Sequence, residues 1–269
     1  MTAKNGATGS LIRSLELLWG GRGKPSRGPR PGLTLERIVR AGVDVADREG
    51  LAALSMRKVA VELGVGTMSL YRYVPGKSEL LDLMVDHVYA RERDGMAEHA
   101  GLGWRACLEF VAEKSWLLYT GSPWLLQVNQ ARPVLGPNSL AGLDFTLRAL
   151  DGLELTGYEK VAVIQALDHF VLGAARTHVL QRQAVARTGL SDEEFWGAQR
   201  PYLERALDSG GYPATAALPE GAFTQGGEEA MRFGLRALLD GFQALVDGRT
   251  NGAGRAAPGS VNSRARTGS

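Results

Sequence analysis

The stretch from Thr67 to Tyr73 carries side chains that suit contacts with the base edges and phosphates of a nucleic-acid duplex. Short hydroxyl groups reach base edges in a major groove, a methyl-bearing side chain packs against thymine, and Tyr or Arg tips reach flanking phosphates. About two turns of helix present all of these groups on one outer face. An alternative is that the two tyrosines of this stretch only pack in the core. The residues that the pattern assigns to DNA contact are Thr67, Met68, Ser69, Tyr71, Arg72 and Tyr73.

A surface of this kind has to be held by a helix, and the preceding residues predict a helix-turn-helix. Ser55 can cap the first helix through its hydroxyl group, and Thr67 can cap the second. Between them, Gly64 and Gly66 allow the left-handed backbone that a tight turn requires. An apolar stripe with the i, i+3, i+4, i+7 spacing of a helix runs through Met56, Val59, Ala60 and Leu63.

Three residues outside the second helix are also assigned to DNA contact. Lys77 lies where the N–H groups of the next helix emerge, so the side chain and the helix terminus could hold one phosphate together. The alternative for Lys77 is an ordinary exposed lysine. Ser55 and Arg57, at the start of the first helix of the pair, complete the predicted surface.

The run from Leu33 to Leu83 resembles the N-terminal domain of the tetracycline-repressor (TetR) family of bacterial regulators. The resemblance is carried by LTLERIVRAGVDVADREG and by LSMRKVAVELGVGTMSLYRYVPGKSELL, which includes the Gly-Val-Gly turn. In that family the residues that match Thr67 to Tyr73 face DNA, and the lysine that matches Lys77 holds a phosphate. The resemblance implies a dimeric, ligand-responsive transcription factor. No cofactor is expected.

Composition sets weaker bounds on the class of protein. At 269 residues and 44% hydrophobic, the chain can bury one large core or two ordinary ones. A net charge of +2 excludes a global basic field, so any attraction to DNA must be local. The single Cys107 excludes an intramolecular disulfide and fits a reducing interior, which predicts a cytoplasmic location. No run resembles a membrane span, so no membrane partner is expected.

The two ends of the chain differ in composition from the middle. Residues 1–32 are Gly-rich and basic, which predicts a flexible arm. Within it, Arg27 and Arg30 could reach a narrow minor groove, although a merely solvated basic tail fits the composition equally well. Residues 249–269 have no apolar periodicity and are predicted to be disordered.

Only helical periodicity is found between the ends, which predicts an all-α fold. We expect a three-helix helix-turn-helix domain at 33–77 and a helical ligand-binding and dimerisation bundle at 78–248. Two helix starts in the bundle have a Ser or Thr followed three residues later by Glu, the pattern of a capping box. These pairs are Thr156 with Glu159 and Ser191 with Glu194.

Two helices of the second domain are apolar on more sides than one core requires. If each gives one face to its own core and the other to a second copy, four helices close a twofold interface, as the resemblance also implies. The alternative is a monomeric bundle with two central helices. The residues assigned to the dimer interface are Phe170, Gly173, Phe233, Leu238 and Phe242.

A small-molecule effector is expected to bind in the second domain, where aromatic residues and isolated polar groups share apolar stretches. Aromatic residues at helical spacing also fit an ordinary core. No metal site is predicted, because the four histidines lack the spacing and neighbouring carboxylates of a metal site. The residues assigned to the effector are Trp116, Asn129, Phe145, His169 and Arg176.

Three functions were weighed against these patterns. The first is a homodimeric repressor on a palindromic operator, released when a ligand tilts the linker helix and separates the two recognition helices. The second is an enzyme on a helical bundle, which is not expected because no nucleophile-base set or phosphate loop occurs. The third is an effector-independent DNA-binding protein or an activator. The resemblance favours the first.

Overall fold

The computed structural model describes residues 2–20, 32–129, 131–219, 221–223 and 226–255. Within these ranges all regular structure is helical, so the predicted all-α class is confirmed. Short 3₁₀ turns occur at Leu51–Ala53, Ala90–Arg93 and Pro123–Gln127. The α-helices are α1 (Thr2–Trp19), α2 (Leu35–Glu49), α3 (Met56–Leu63), α4 (Thr67–Leu70), α5 (Lys77–Tyr89), α6 (Met96–His99), α7 (Trp104–Gly121), α8 (Pro137–Ala149), α9 (Gly157–Thr188), α10 (Asp192–Asp208), α11 (Pro213–Ala216) and α12 (Gly227–Arg255).

Helices α2, α3 and α4 form the predicted helix-turn-helix domain. The hydroxyl oxygens of Thr34 and Ser55 cap α2 and α3, each accepting a backbone N–H bond of 3.2 Å from the residue three positions later. Gly64 ends α3 with φ +66°, the left-handed conformation expected of a glycine at this position. The predicted roles of Ser55 and Gly64 are confirmed.

The start of α4 differs from the sequence prediction. Thr67 is the first residue of the helix rather than its cap, and Gly66 occupies the capping position without a side-chain bond. Gly66 has φ −70°, which any residue can adopt, so only Gly64 supplies the left-handed turn. The turn is nevertheless tight, because the N–H of Val65 bonds to the carbonyl of Ala60 over 3.0 Å.

Helix α5 joins the two predicted domains through one continuous core. Leu80 and Met84 of α5 are fully buried and pack in the same cluster as Ile38 of α2 and Leu239 of α12. A Cβ atom on Gly42 would lie 2.8 Å from the Met84 sulfur, so glycine allows α2 and α5 to approach this closely. A displacement of α5 therefore acts on both the helix-turn-helix and the second domain.

The N-terminal region is not an unstructured arm up to residue 19, and the prediction for this part is wrong. Helix α1 packs along α5, with Ser14 fully buried at their contact. The predicted disorder ignored partners distant in sequence, because Leu17 and Leu18 pack against the core and three polar side chains of α1 bond to α5. Arg27 and Arg30 lie outside the described residues.

The second domain is built on the packing of α7, α9 and α12. Helix α9 begins with a capping box of Thr156 and Glu159, and α10 begins with one of Ser191 and Glu194, so both predicted starts are confirmed. A Cβ atom on Gly234 would lie 2.5 Å from the Phe170 ring. Gly234 therefore serves the packing of α12 on α9 within one chain.

Helix α12 extends to Arg255, past the predicted boundary at 248, so the first part of the predicted disordered tail is helical. Residues 256–269 lie outside the described ranges. Among the described residues, no helix is both long enough and apolar enough to cross a membrane. Helix α10 buries none of its residues.

Candidate functional site

The outer face of α4 and of the turn that follows it carries most of the predicted DNA surface. Met68 is 77% exposed and Tyr71 is 44% exposed, although apolar and aromatic side chains are usually buried. Thr67 and Ser69 are half-buried, and Arg72 is exposed. The inner side of the helix is fixed by Leu70, which is fully buried in the core. The helix thus presents hydroxyl, methyl-bearing, aromatic and cationic groups outward.

Tyr73 differs from the other residues of the predicted surface. Its ring packs against the core, and its hydroxyl group donates a 3.1 Å hydrogen bond to the backbone carbonyl of Leu33. The side chain therefore anchors the chain just before α2. The prediction of a DNA contact missed this role because the partner is distant in sequence.

The remaining predicted DNA contacts lie on α3 and α5. Ser55 is exposed, but its oxygen already caps α3. Arg57 is exposed on the first turn of α3. Lys77 is exposed and is the first residue of α5, with its Nζ atom 3.5 Å from the carbonyl of Leu51. In this structure the ammonium group of Lys77 therefore contacts the 3₁₀ turn after α2.

A buried carboxylate on α5 caps a helix of the second domain. Asp86 is 3% exposed, and it accepts hydrogen bonds from the backbone N–H groups of Asn138 and Ser139 over 3.1 and 2.9 Å. The side chains of the same two residues add bonds of 3.0 and 2.9 Å. Pro137, the first residue of α8, has no N–H to offer. A carboxylate at this end is also favoured by the helix dipole.

A second polar contact joins α2 to the turn after α7. The indole N–H of buried Trp124 donates to the carboxylate of Asp47 over 2.7 Å. Arg91 donates to the hydroxyl of Ser122 over 3.2 Å and lies 3.7 Å from Asp47. Asp47 thereby holds α2 of the helix-turn-helix domain to the second domain.

A cavity of about 430 Å³ lies between α5, α7, α8 and α9 and is bordered by the segment before α8. Its apolar wall includes Phe110, Val111, Leu143 and Ile164. Asn138 and Ser139, the two residues capped by Asp86, also line it. This size and composition are typical of a small-molecule site. A molecule in the cavity would contact the helix end that Asp86 holds.

Three acidic residues, Asp82, Glu92 and Asp168, line the same cavity. Glu92 accepts a 2.9 Å hydrogen bond from the Ser115 hydroxyl, and Asp168 accepts one of 3.0 Å from the Tyr119 hydroxyl. Burial raises the pKa of Glu92 to about 7, with a smaller contribution from the charge of Asp168. Burial also raises the pKa of Asp168, although its bond from Tyr119 opposes the shift.

The predicted effector residues are only partly brought together. Asn129 and His169 line the cavity, whereas Phe145 lines a second cavity of about 320 Å³ and meets the Phe110 ring at 6.1 Å between centroids. Trp116 and Arg176 line neither of these cavities. Trp116 is buried in the core, and Arg176 is exposed on α9, so neither side chain lies at these two cavities.

Glu92, Asp168 and Asp86 were not predicted from the sequence. Glu92 lies in a run of charged residues, which is the pattern of a solvated surface, and nothing local shows that it is half-buried at a cavity. Asp168 stands among apolar residues in ALDHFV, and this contrast was the signal that could have identified it. No set of three or more His, Cys, Asp or Glu side chains that could hold a metal ion occurs in the described ranges.

A helix-turn-helix that shares a helix with a cavity-bearing helical domain defines the class of ligand-binding DNA regulators. Two family models match the chain in the same order. The model described as bacterial regulatory proteins, tetR family, matches residues 38–84, and the tetracyclin repressor-like C-terminal domain matches residues 98–246. The chain belongs to the tetracycline-repressor family of transcriptional regulators, as its resemblance to that family implied.

Individual relatives agree with this assignment. The HTH-type transcriptional repressor DrrR1 of Streptomyces coeruleorubidus is 50% identical over 245 residues, which cover 91% of this chain and 90% of that protein. The transcriptional regulator SCO7222 from Streptomyces coelicolor matches in structure with a TM-score of 0.63 and 25% identity, covering 80% of this chain and 99% of that one. ActR from the same organism, in complex with (S)-DNPA, matches with a TM-score of 0.56 and 25% identity, covering 80% and 98%.

Proposed function

We propose that the protein is a homodimeric repressor that leaves a palindromic operator when a small molecule binds in the cavity. The observation that carries this proposal is the bond network of Asp86. This residue belongs to α5, whose first residue follows the turn after α4, and it holds the end of α8 at the cavity wall. One rigid helix therefore connects the ligand site with the DNA surface.

On DNA, α4 lies in a major groove, with Thr67 and Met68 toward the base edges. Tyr71 and Arg72 reach the flanking phosphates, and Lys77 binds a phosphate at the start of α5. The exposure of these side chains supports this arrangement. Two such surfaces related by a twofold axis read half-sites about 34 Å apart, in successive turns of the duplex.

The second copy binds along α9 and α12. Phe233 is 67% exposed and Tyr158 is 83% exposed, which is unusual for large side chains of a solitary domain. Apart from the neighbouring backbone of α9 itself, no heavy atom of the described residues lies within 4 Å of a Cβ built on Gly173, so another helix can approach there. Phe170, Leu238 and Phe242 are half-buried between α9 and α12 and form the floor of this interface.

Release from DNA follows from the connection between α8 and α5. A molecule that fills the cavity presses on Asn138 and Ser139, and their bonds transmit the displacement to Asp86. Because α5 also packs against α2, its movement changes the separation of the two recognition surfaces. The ligand stabilises the released state only by binding it more tightly than the DNA-bound state.

The relatives give independent support. DrrR1 is a transcriptional repressor, and ActR has been crystallised with (S)-DNPA and with actinorhodin. An effector-independent regulator would not require a cavity of about 430 Å³ with placed polar groups. This observation favours the ligand-responsive function over the alternative.

Footprinting on the DNA upstream of the gene, combined with the mass of the complex, tests the proposal. We expect two protected half-sites one helical turn apart and two chains per site. Phe233→Glu should give a monomer with weakened operator binding, whereas Leu102→Glu, which changes an exposed leucine outside α9 and α12, should stay dimeric. A monomeric wild-type protein at micromolar concentration, or a single protected site, would contradict it.

A further inference from the structure

The cavity has an acidic end whose two carboxyl groups come from different elements. Glu92 belongs to the 3₁₀ turn after α5, and Asp168 belongs to α9. The donors to them from Ser115 and Tyr119 are neutral hydroxyl groups, at 2.9 and 3.0 Å. None of the salt bridges among the described residues involves either carboxyl group.

Three side chains that can carry positive charge also line the cavity, namely Lys114, Arg132 and His169. Arg132 and His169 are exposed to solvent, although the charge of His169 does reach Asp168. The Nζ atom of Lys114 lies 5.5 Å from the centroid of the Phe110 ring, so its charge faces an aromatic surface. Arg132 and His169 thus lie on the solvent side of the cavity, whereas Lys114, like Glu92 and Asp168, is half-buried.

We propose that this cavity binds an effector with a protonated amine, which lies between Glu92 and Asp168 while an apolar ring system contacts Phe110 and Ile164. This inference rests on the proposed function, because the cavity is the effector site of that proposal. An ammonium group supplies both the positive charge and the N–H donors that two carboxylates accept. The apolar wall accounts for the hydrophobic remainder of the molecule.

Binding of such a cation changes the protonation of the cavity. Burial raises the pKa of Glu92 to about 7 and also raises the pKa of Asp168, where the charge of His169 opposes the rise. A cation beside these groups favours their ionised forms and lowers both pKa values. At pH 7 the binding of an ammonium ligand should therefore release protons from the protein.

Two probes of nearly equal shape distinguish charge from apolar contact. The probes are 9-(aminomethyl)anthracene and 9-(hydroxymethyl)anthracene, titrated into the full chain at pH 7 by calorimetry. We expect the amine to bind at least about tenfold more tightly than the alcohol, as for a charge-assisted bond. Repeating the titration in buffers of different ionisation enthalpy should show proton release with the amine only.

Substitutions identify the groups responsible. Glu92→Gln and Asp168→Asn each preserve side-chain shape and should remove most of the preference for the amine. Glu154→Gln, at an exposed site before α9, is the matched control and should keep it. Circular dichroism establishes that each variant is folded, and either cavity variant alone suffices for the comparison.

Equal binding of the two probes, binding of neither, or an unchanged preference in both cavity variants would overturn the inference. The same samples are assayed for specific operator binding without probe. Specific binding combined with no amine preference would leave the proposed function standing and reject only the cationic effector. Absence of specific operator binding would count against the proposed function itself.

Discussion

Asp86 of α5 accepts hydrogen bonds from both the backbone N–H and the hydroxyl group of Ser139, each over 2.9 Å. Helix α8 thus begins at a carboxylate that belongs to α5. This contact fixes the first turn of α8 relative to α5. The contact is buried, so loss of the acceptor leaves donors without water to replace it.

Gly136→Ala should disrupt this cap, because a Cβ atom there would lie 2.4 Å from the Asp86 carboxyl carbon. We expect the free energy of unfolding to fall by about 1–3 kcal/mol, the cost of leaving buried donors unsatisfied. Hydrogen exchange at Asn138 and Ser139 should accelerate with it. Denaturant unfolding and exchange mass spectrometry measure both effects.

The control is Gly142→Ala in the same helix, where the nearest atom to an added Cβ is 3.9 Å away. This change should be neutral or stabilise α8 by up to about 1 kcal/mol, because alanine favours helix. Equal destabilisation by both substitutions would show that the Asp86 contact has no special role.

Glu92 should make stability depend on pH. Its pKa is raised from 4.5 to about 7 by burial, so the folded protein favours the protonated carboxyl group. The stabilising contribution is complete below pH 4.5 and is lost as the pH rises through about 7. As the pH rises between these limits, the free energy of unfolding of Glu92→Gln should increase by on the order of 3 kcal/mol relative to that of wild type. Denaturant unfolding at pH 5 and pH 8 measures the difference.

An exposed carboxylate provides the comparison. Glu229→Gln on α12 should shift stability by the same small amount at both pH values. If Glu92→Gln behaved in the same way, the Glu92 carboxyl group would not be protonated by burial in the folded protein.

The sequence was sufficient for elements whose determinants are local. The caps of α3, α9 and α10 were predicted correctly because a hydroxyl group accepts a hydrogen bond from a backbone N–H three residues later. The end of α3 depended on one glycine with positive φ. The exposed face of α4 followed from the mismatch between its side chains and the needs of a core.

Features that depend on distant partners were not predictable in this way. The hydroxyl of Tyr73 bonds to Leu33, and Trp124 bonds to Asp47, with 40 and 77 positions between them. The cavity is likewise assembled from helices far apart in the chain, so apolar spacing indicated Trp116 as readily as Phe110. The spacing of apolar residues identifies which face of a helix is buried. It does not show where a cavity remains between the packed helices.

Helix α1 gives a prediction about the N-terminal region. Ser14 is fully buried and donates to Asp82 over 2.5 Å, so Ser14→Ala should lower the free energy of unfolding by about 1–2 kcal/mol. It should leave the salt dependence of DNA binding unchanged, because no phosphate contact is lost. Thermal unfolding and binding titrations at several salt concentrations measure the two quantities.

The basic segment after α1 is tested separately by Arg27→Ala with Arg30→Ala. If these arginines enter the minor groove, the double variant should weaken binding and reduce the slope of log affinity against log salt by about 2. An unchanged slope would assign the segment to solvent and remove it from DNA recognition.

Base and phosphate contacts on the recognition surface should respond differently to substitution. Thr67→Ala should weaken the free energy of binding to the operator by about 1–3 kcal/mol and relax the sequence preference at one base pair. Lys77→Ala should weaken operator and random DNA alike and reduce the salt slope by about 1. Competition assays with operator variants compare the two proteins directly. Equal losses on operator and random DNA for Thr67→Ala would remove Thr67 from base recognition.

The central claim is tested most directly by binding of the purified protein to its own upstream DNA over a salt series, with and without random competitor. We predict tight binding that survives excess random DNA and weakens steeply with salt, as expected when several phosphates are neutralised. Binding that random DNA displaces equally well, by a protein that is folded and dimeric, would contradict the assignment of α4 as an operator-reading helix.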